Sequence, residues 1–186
     1  MKKSNLGAIA ALITATLACS VFVGGPSYPE AAGPVSTGTA QSLQDQIEQS
    51  VTAGSESGVV AVQLTQEQLT SYLAAKLAQQ PDPALTDPLV LLRNGQIEIY
   101  GRAHSGIFTA NVSIYVQASV DHDGQPHLLI TKTDFGPLAA PQGLNDALAS
   151  FVSEAFTGWL GPVATGFRLE SIDIGDGILT ATGRIK

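Results

Sequence analysis

Hydrophobic and polar positions alternate most regularly over residues 107–120. Phe108, Ala110, Val112, Ile114, Val116, Ala118 and Val120 fall on one face, and Thr109, Asn111, Ser113, Tyr115, Gln117 and Ser119 on the other. A period of two predicts a strand with one dry face and one mostly wet face. At ~3.3 Å per residue, a strand of this length must twist or curve to follow a small core. Asp121-His122-Asp123-Gly124 turns the chain, and residues 127–135 supply the return strand.

Upstream, Val59–Leu64 reads as a short strand. Thr65-Gln66-Glu67-Gln68 fits a capping box, with Thr65 as N-cap and Gln68 reaching back. Leu69, Tyr72, Leu73 and Leu77 follow at helical spacing, and Pro81 and Pro83 stop the helix. Leu89–Leu92 and Ile97–Tyr100 flank Asn94-Gly95, the signature of a tight hairpin. Leu144, Leu148, Phe151, Val152, Ala155, Phe156, Trp159 and Leu160 predict a second helix, which ends near Gly161-Pro162. Residues 167–174 and 178–185 around Gly175-Asp176-Gly177 form a last hairpin. This order predicts an α+β domain, a long, curved, mostly antiparallel sheet wrapped against two helices.

The N-terminus is of another kind. Lys2 and Lys3 precede an uncharged stretch, Leu6–Gly25, and the first acid is Glu30. A basic start before an apolar run is an export signal or a membrane anchor. Thr16-Leu17-Ala18-Cys19 resembles a lipoprotein cleavage box, which makes Cys19 a lipidation site. The run continues through Val23, and about 20 apolar residues suffice to cross a bilayer, so an uncleaved anchor fits as well. A cleaved secretory peptide is the third reading. Residues 1–25 are thus a signal peptide or membrane anchor. Residues 26–57, rich in Gly, Pro, Ser and Thr, read as a flexible tether, with Leu43, Ile47 and Val51 spaced as in a short helix. Residues 58–186 read as one α+β domain.

Composition sharpens this division. The 186 residues carry 9 Lys plus Arg against 16 acids, a net charge of −7, and only 13% are charged. Mean hydropathy is +0.18, partly because of the N-terminal run. An acidic chain with no basic block is poorly suited to nucleic acid. Cys19 is the only cysteine, so an internal disulfide is excluded.

No catalytic constellation emerges, and the expectation is a protein without enzymatic activity or cofactor. There is no phosphate-binding glycine loop and no zinc-spaced His-Glu pair. His104, His122 and His127 are isolated, and Asp121-x-Asp123-Gly124 lacks the later ligands of a calcium loop. Ser105 and Ser150 have no nucleophile-elbow context. Arg93, Arg102, Arg168 and Arg184 are scattered over strands, and the sequon Asn111-Val112-Ser113 lies within one.

Three stretches carry a family likeness: residues 64–73 (LTQEQLTSYL), residues 94–101 (NGQIEIYG), and residues 166–177 (GFRLESIDIGDG). Together they resemble membrane-anchored bacterial envelope proteins of the YpmS-like and LmeA-like kind, themselves similar to tubular lipid-binding domains. The likeness covers residues 58–186. It implies a curved sheet cradling a helix and an apolar ligand groove, and it brings no catalytic residue. The resulting expectation is a protein anchored to the outer face of a bacterial cell membrane. It binds a lipid or other apolar ligand in a groove between sheet and helices. Phe108, Val112, Ile114, Val116, Leu148, Phe151, Val152, Phe156 and Trp159 are the expected lining. The alternative is a structural domain with a filled core that meets an envelope protein partner.

Overall fold

A computed structural model of the chain describes residues 20–30, 49–50, 52, 54, 58–81, 83, 85–138 and 167–185. The elements are β1 (Val21–Phe22), β2 (Val59–Thr65), α1 (Gln66–Leu77), β3 (Thr86–Arg93), β4 (Gln96–Ser105), β5 (Phe108–Val120), β6 (Pro126–Asp134), β7 (Phe167–Ile174) and β8 (Ile178–Ile185). Residues 49, 50, 52 and 54 also have helical backbone.

The architecture is α+β with a curved sheet, but the expected single sheet against two helices is corrected. The strands divide into two sheets, and among the described residues α1 is the one helix defined from cap to cap. The first sheet runs β1-β5-β4-β3, with β6 also on β5, and the second runs β2-β8-β7. The second predicted helix, residues 144–160, lies outside the described residues. The physical reason for the division is the path of the last hairpin. It pairs with β2 from before α1, not with an edge of the first sheet.

Local chemistry fixes the elements as their residues predict. Thr65 caps α1 by accepting from the Gln68 amide, and the Gln68 side chain accepts from the Thr65 amide. Asn94 and Gly95 both take positive φ, 55° and 70°, as the two-residue turn between β3 and β4 requires. Gly101 lies on the dry face, and a Cβ there would meet the Leu85 side chain at 2.6 Å, so the missing side chain is the space Leu85 fills. Opposite Tyr115 and Val116, β6 carries one extra residue, Thr131, a bulge that bends β6 along β5.

Two clamps hold the sheets together. The Leu169 amide donates to the Gly124 carbonyl (3.2 Å), and Arg168 Nη2 donates to the His122 carbonyl (2.8 Å), tying the β5–β6 turn to β7. At the other end of β7, the Gly177 amide donates to the Leu92 carbonyl at the end of β3 (2.8 Å). β7 therefore crosses the end of the first sheet from its β5–β6 corner to its β3 edge. One apolar cluster fills the space between, drawing Val60, Val62 and Leu64 from β2, Leu69, Leu73 and Leu77 from α1, Leu92, Ile97, Ile114 and Val116 from the first sheet, and Leu179 and Ala181 from β8.

α1 is also pinned to the outer edge of β3. The buried Thr70 hydroxyl donates to the Gln66 carbonyl (2.7 Å) and accepts from the Val90 amide (2.9 Å). Thr70→Ala strands that amide, and an unsatisfied buried donor costs about 1–3 kcal/mol. Urea denaturation is expected to show a loss of that size with an unchanged slope.

Candidate functional site

Two surfaces bear on function. The first is the polar face of the first sheet, which the alternation of β5 assigns to solvent. Instead Glu98, Tyr100, Thr109 and Ser113 are buried there. The segment that follows β1 runs over this face. Asn111 Nδ2 donates to the Pro26 carbonyl (3.1 Å). The Tyr28 hydroxyl donates to the Asp87 carbonyl (2.6 Å), and the Tyr28 ring meets Tyr100 edge-on at 6.4 Å. Residues 26–30, the head of the stretch expected to be a tether, thus strap the sheet from β5 to β3.

Along this face, under the strap and beside it, the polar side chains satisfy one another. Glu98 Oε2 accepts from Tyr100 (2.9 Å) and from Arg93 Nε (2.9 Å). Arg102 Nη1 pairs with Asp87 Oδ2 at 3.1 Å. His104 meets Thr86 through Nε2 (3.0 Å) and Thr109 through Nδ1 (3.1 Å). Of this row, Tyr100 alone meets the strap, through the Tyr28 ring, and the other side chains bond to one another and to neighbouring strands. Among the described residues no cluster of three His, Cys, Asp or Glu could hold a metal. The Asp121 carboxylate accepts from the Asp123 and Gln125 amides (2.9 and 2.8 Å), which builds the β5–β6 turn. Those bonds, the Gln125 bond foremost, outweigh burial and hold its carboxyl below the usual range.

The second surface is apolar. Ala118 and Val120 on β5, Leu128 and Ile130 on β6, and Ile172 and Ile174 on β7 are half-buried against the core. Register places all of them on the inward faces of their sheets. Ala118, Val120, Leu128 and Ile130 are cross-strand neighbours on the β5–β6 arm, the part of the two strands from Val116 onward. β7 reaches the end of that arm at the Gly124 clamp. Together the six make a half-buried apolar margin, the strip, around the core.

Of the expected groove lining, Val112, Ile114 and Val116 are fully buried in the shared core, whereas Phe108 is exposed at the opposite end of β5. Leu148, Phe151, Val152, Phe156 and Trp159 lie outside the described residues. The strip residues were legible individually, since Ala118 and Val120 continue the dry face of β5. The approach of β7 to the β5–β6 arm depends on the clamp, which leaves no local signature. The Glu98-Tyr100-Arg102-His104 row could have been found as polar residues at every second position of β4. No family model matches this chain, and no curated protein matches it.

Burial first, then hydrogen bonding with Tyr115 and Glu98, pushes the Tyr100 phenol well above its ordinary value of 10.0. Burial and the Asp87 charge raise Tyr28 as well, with Arg102 opposing. A phenol with a raised folded value contributes its full stability below 10.0 and loses it as pH climbs toward the folded value. Unfolding free energy is therefore expected to fall above pH 10.0. Tyr100→Phe, less stable at neutral pH for want of its bond to Glu98, is expected to fall less steeply. Denaturant titrations between neutral and strongly alkaline pH read both slopes.

Proposed function

We propose that this chain is an exported, non-catalytic domain of the bacterial envelope, lipid-anchored at Cys19, that holds a long-chain apolar ligand along the arm–β7 strip. The observation that carries the reading is the strip itself: six half-buried apolar side chains contiguous with the core. The resemblance of residues 58–186 to membrane-anchored lipid-binding domains supports it.

Energetics select the ligand class. Each buried methylene contributes about 0.8 kcal/mol, while association costs at least ~4 kcal/mol and often more. A chain of a few methylenes cannot offset that cost, whereas a lipid acyl chain of ~14 supplies about 11 kcal/mol before the cost is met. Polar groups at the mouth of the strip then set headgroup preference.

The position of β1 supports one mode of anchoring over the other. Val21 and Phe22 pair with β5, and bonds from Val23 to Gly24 continue the ladder. Only Leu6–Ser20 of the apolar run is left outside this strand. As a helix at 1.5 Å per residue those residues reach about 22 Å, short of the ~30 Å hydrocarbon core. That length argues for cleavage and acylation at Cys19 over an uncleaved anchor.

The second reading is a structural domain that meets an envelope partner, favoured by the full burial of Val112, Ile114 and Val116. Native mass spectrometry after gentle extraction separates the two. The expected result is a bound lipid that exchanges with added lipid and is lost from Ile130→Trp, whose bulk fills the strip, while the circular dichroism spectrum is kept. A consistently empty protein that exchanges nothing overturns the ligand reading and leaves the structural one.

A further inference from the structure

We infer that the corner where β1 meets the β4–β5 hairpin is a bilayer-inserting surface, apart from the ligand strip. Four large apolar side chains are exposed there: Phe22 and Ile107 at 59%, Val21 at 45% and Phe108 at 44%. They are one patch. The Val21 amide donates to the Ile107 carbonyl (2.7 Å), and Val21 stands in register with Phe108. Ile107 occupies the tip of the hairpin, after Gly106 at a φ of 60°, a place normally given to polar residues. Val21 and Phe108 lie on one face of the sheet edge and Phe22 on the other, so the corner presents an apolar wedge, not a flat strip.

The occupant is set by the chain that leads into the wedge. Ser20 alone separates Cys19 from Val21. Two residues span at most about 7 Å, so a lipid on Cys19 places the bilayer surface within a side chain's length of Phe22 and Ile107. No slack exists to hold the domain away, because backbone bonds from Val21 through Gly24 bind the chain to β5. A partner protein seated on the corner would have to displace the membrane to which the chain is anchored. This inference rests on the membrane-anchored reading above, with one consequence of its own: the wedge sits in the interface at a depth set by the fold.

A thiol at position 107 reports that depth. The full chain carrying Ile107→Cys is labelled with an environment-sensitive fluorophore and placed in vesicles of phosphatidylglycerol and phosphatidylethanolamine. Acylation of Cys19 leaves this as the single free thiol. Where intact mass shows Cys19 retained and unacylated, the label goes into a Cys19→Ser background. The control label sits at Asp176→Cys, in the exposed β7–β8 turn. The expected result is a shift to shorter wavelength and loss of most emission to bilayer-borne quenchers at 107, and neither change at 176. Emission at 107 that stays as water-like as at 176 overturns the wedge, in whichever form the chain is recovered. Intact mass and membrane fractionation decide the anchor separately. A chain released unacylated overturns the anchor, and quenching at 107 in that released form upholds the wedge.

Discussion

The fold depends on one strand whose two edges must both be satisfied. β5 is 13 residues long, and β4 covers one edge from Phe108 to Val116. β6 covers the other edge only from Ser113 to Val120. The remaining amides and carbonyls, from Ile107 to Asn111, would face solvent as an open sheet edge, a template for unwanted pairing. Val21–Gly24 fills that gap as a short parallel strand. The close approach needs glycine: a Cβ on Gly25 would strike the Asn111 backbone, and one on Gly136 would strike Gly25. Once β1 is in place, the next residues have one short path, across the polar face toward β3.

That path explains why the wet face is dry in part. Burying Glu98 costs free energy unless its oxygens are bonded, and bonds to charged groups are worth about 1.5–3 kcal/mol each. Tyr100 and Arg93 supply them, with Arg93 reaching in from a half-exposed position. Surface pairs such as Arg102–Asp87 and Arg184–Glu170 contribute far less, because solvent screens them. The ring of Tyr28 seals the upper side. The strap is therefore part of the packed structure, held by one side-chain bond at each margin.

Much of this was legible in local pattern. The period of two over residues 107–120, the capping box at Thr65 and the Asn94-Gly95 turn each act within a few residues, and each gives the element it predicts. The division into two sheets was not legible, because the pairing of β2 with β8 joins residues more than a hundred positions apart. β1 was hidden for a different reason. Val21 and Phe22 end an apolar run that reads as membrane-bound, and hydropathy cannot tell a side chain facing lipid from one on a sheet edge. Of the candidate site, the dry face of β5 was visible, but not where it stops being core. That boundary lies between Val116, fully buried, and Ala118, only partly so.

The two apolar surfaces stand at opposite ends of the same strand. Phe108 belongs to the corner, and Ala118 and Val120 belong to the strip. Ten residues from 108 to 118 measure at most about 33 Å along the strand. Val112, Ile114 and Val116, all fully buried, stand between the two ends. Sites that far apart with no shared partner respond to substitution independently. A change at Phe108 therefore leaves Ala118 and Val120 as they are, and the exposed corner and the half-buried strip can be altered one at a time.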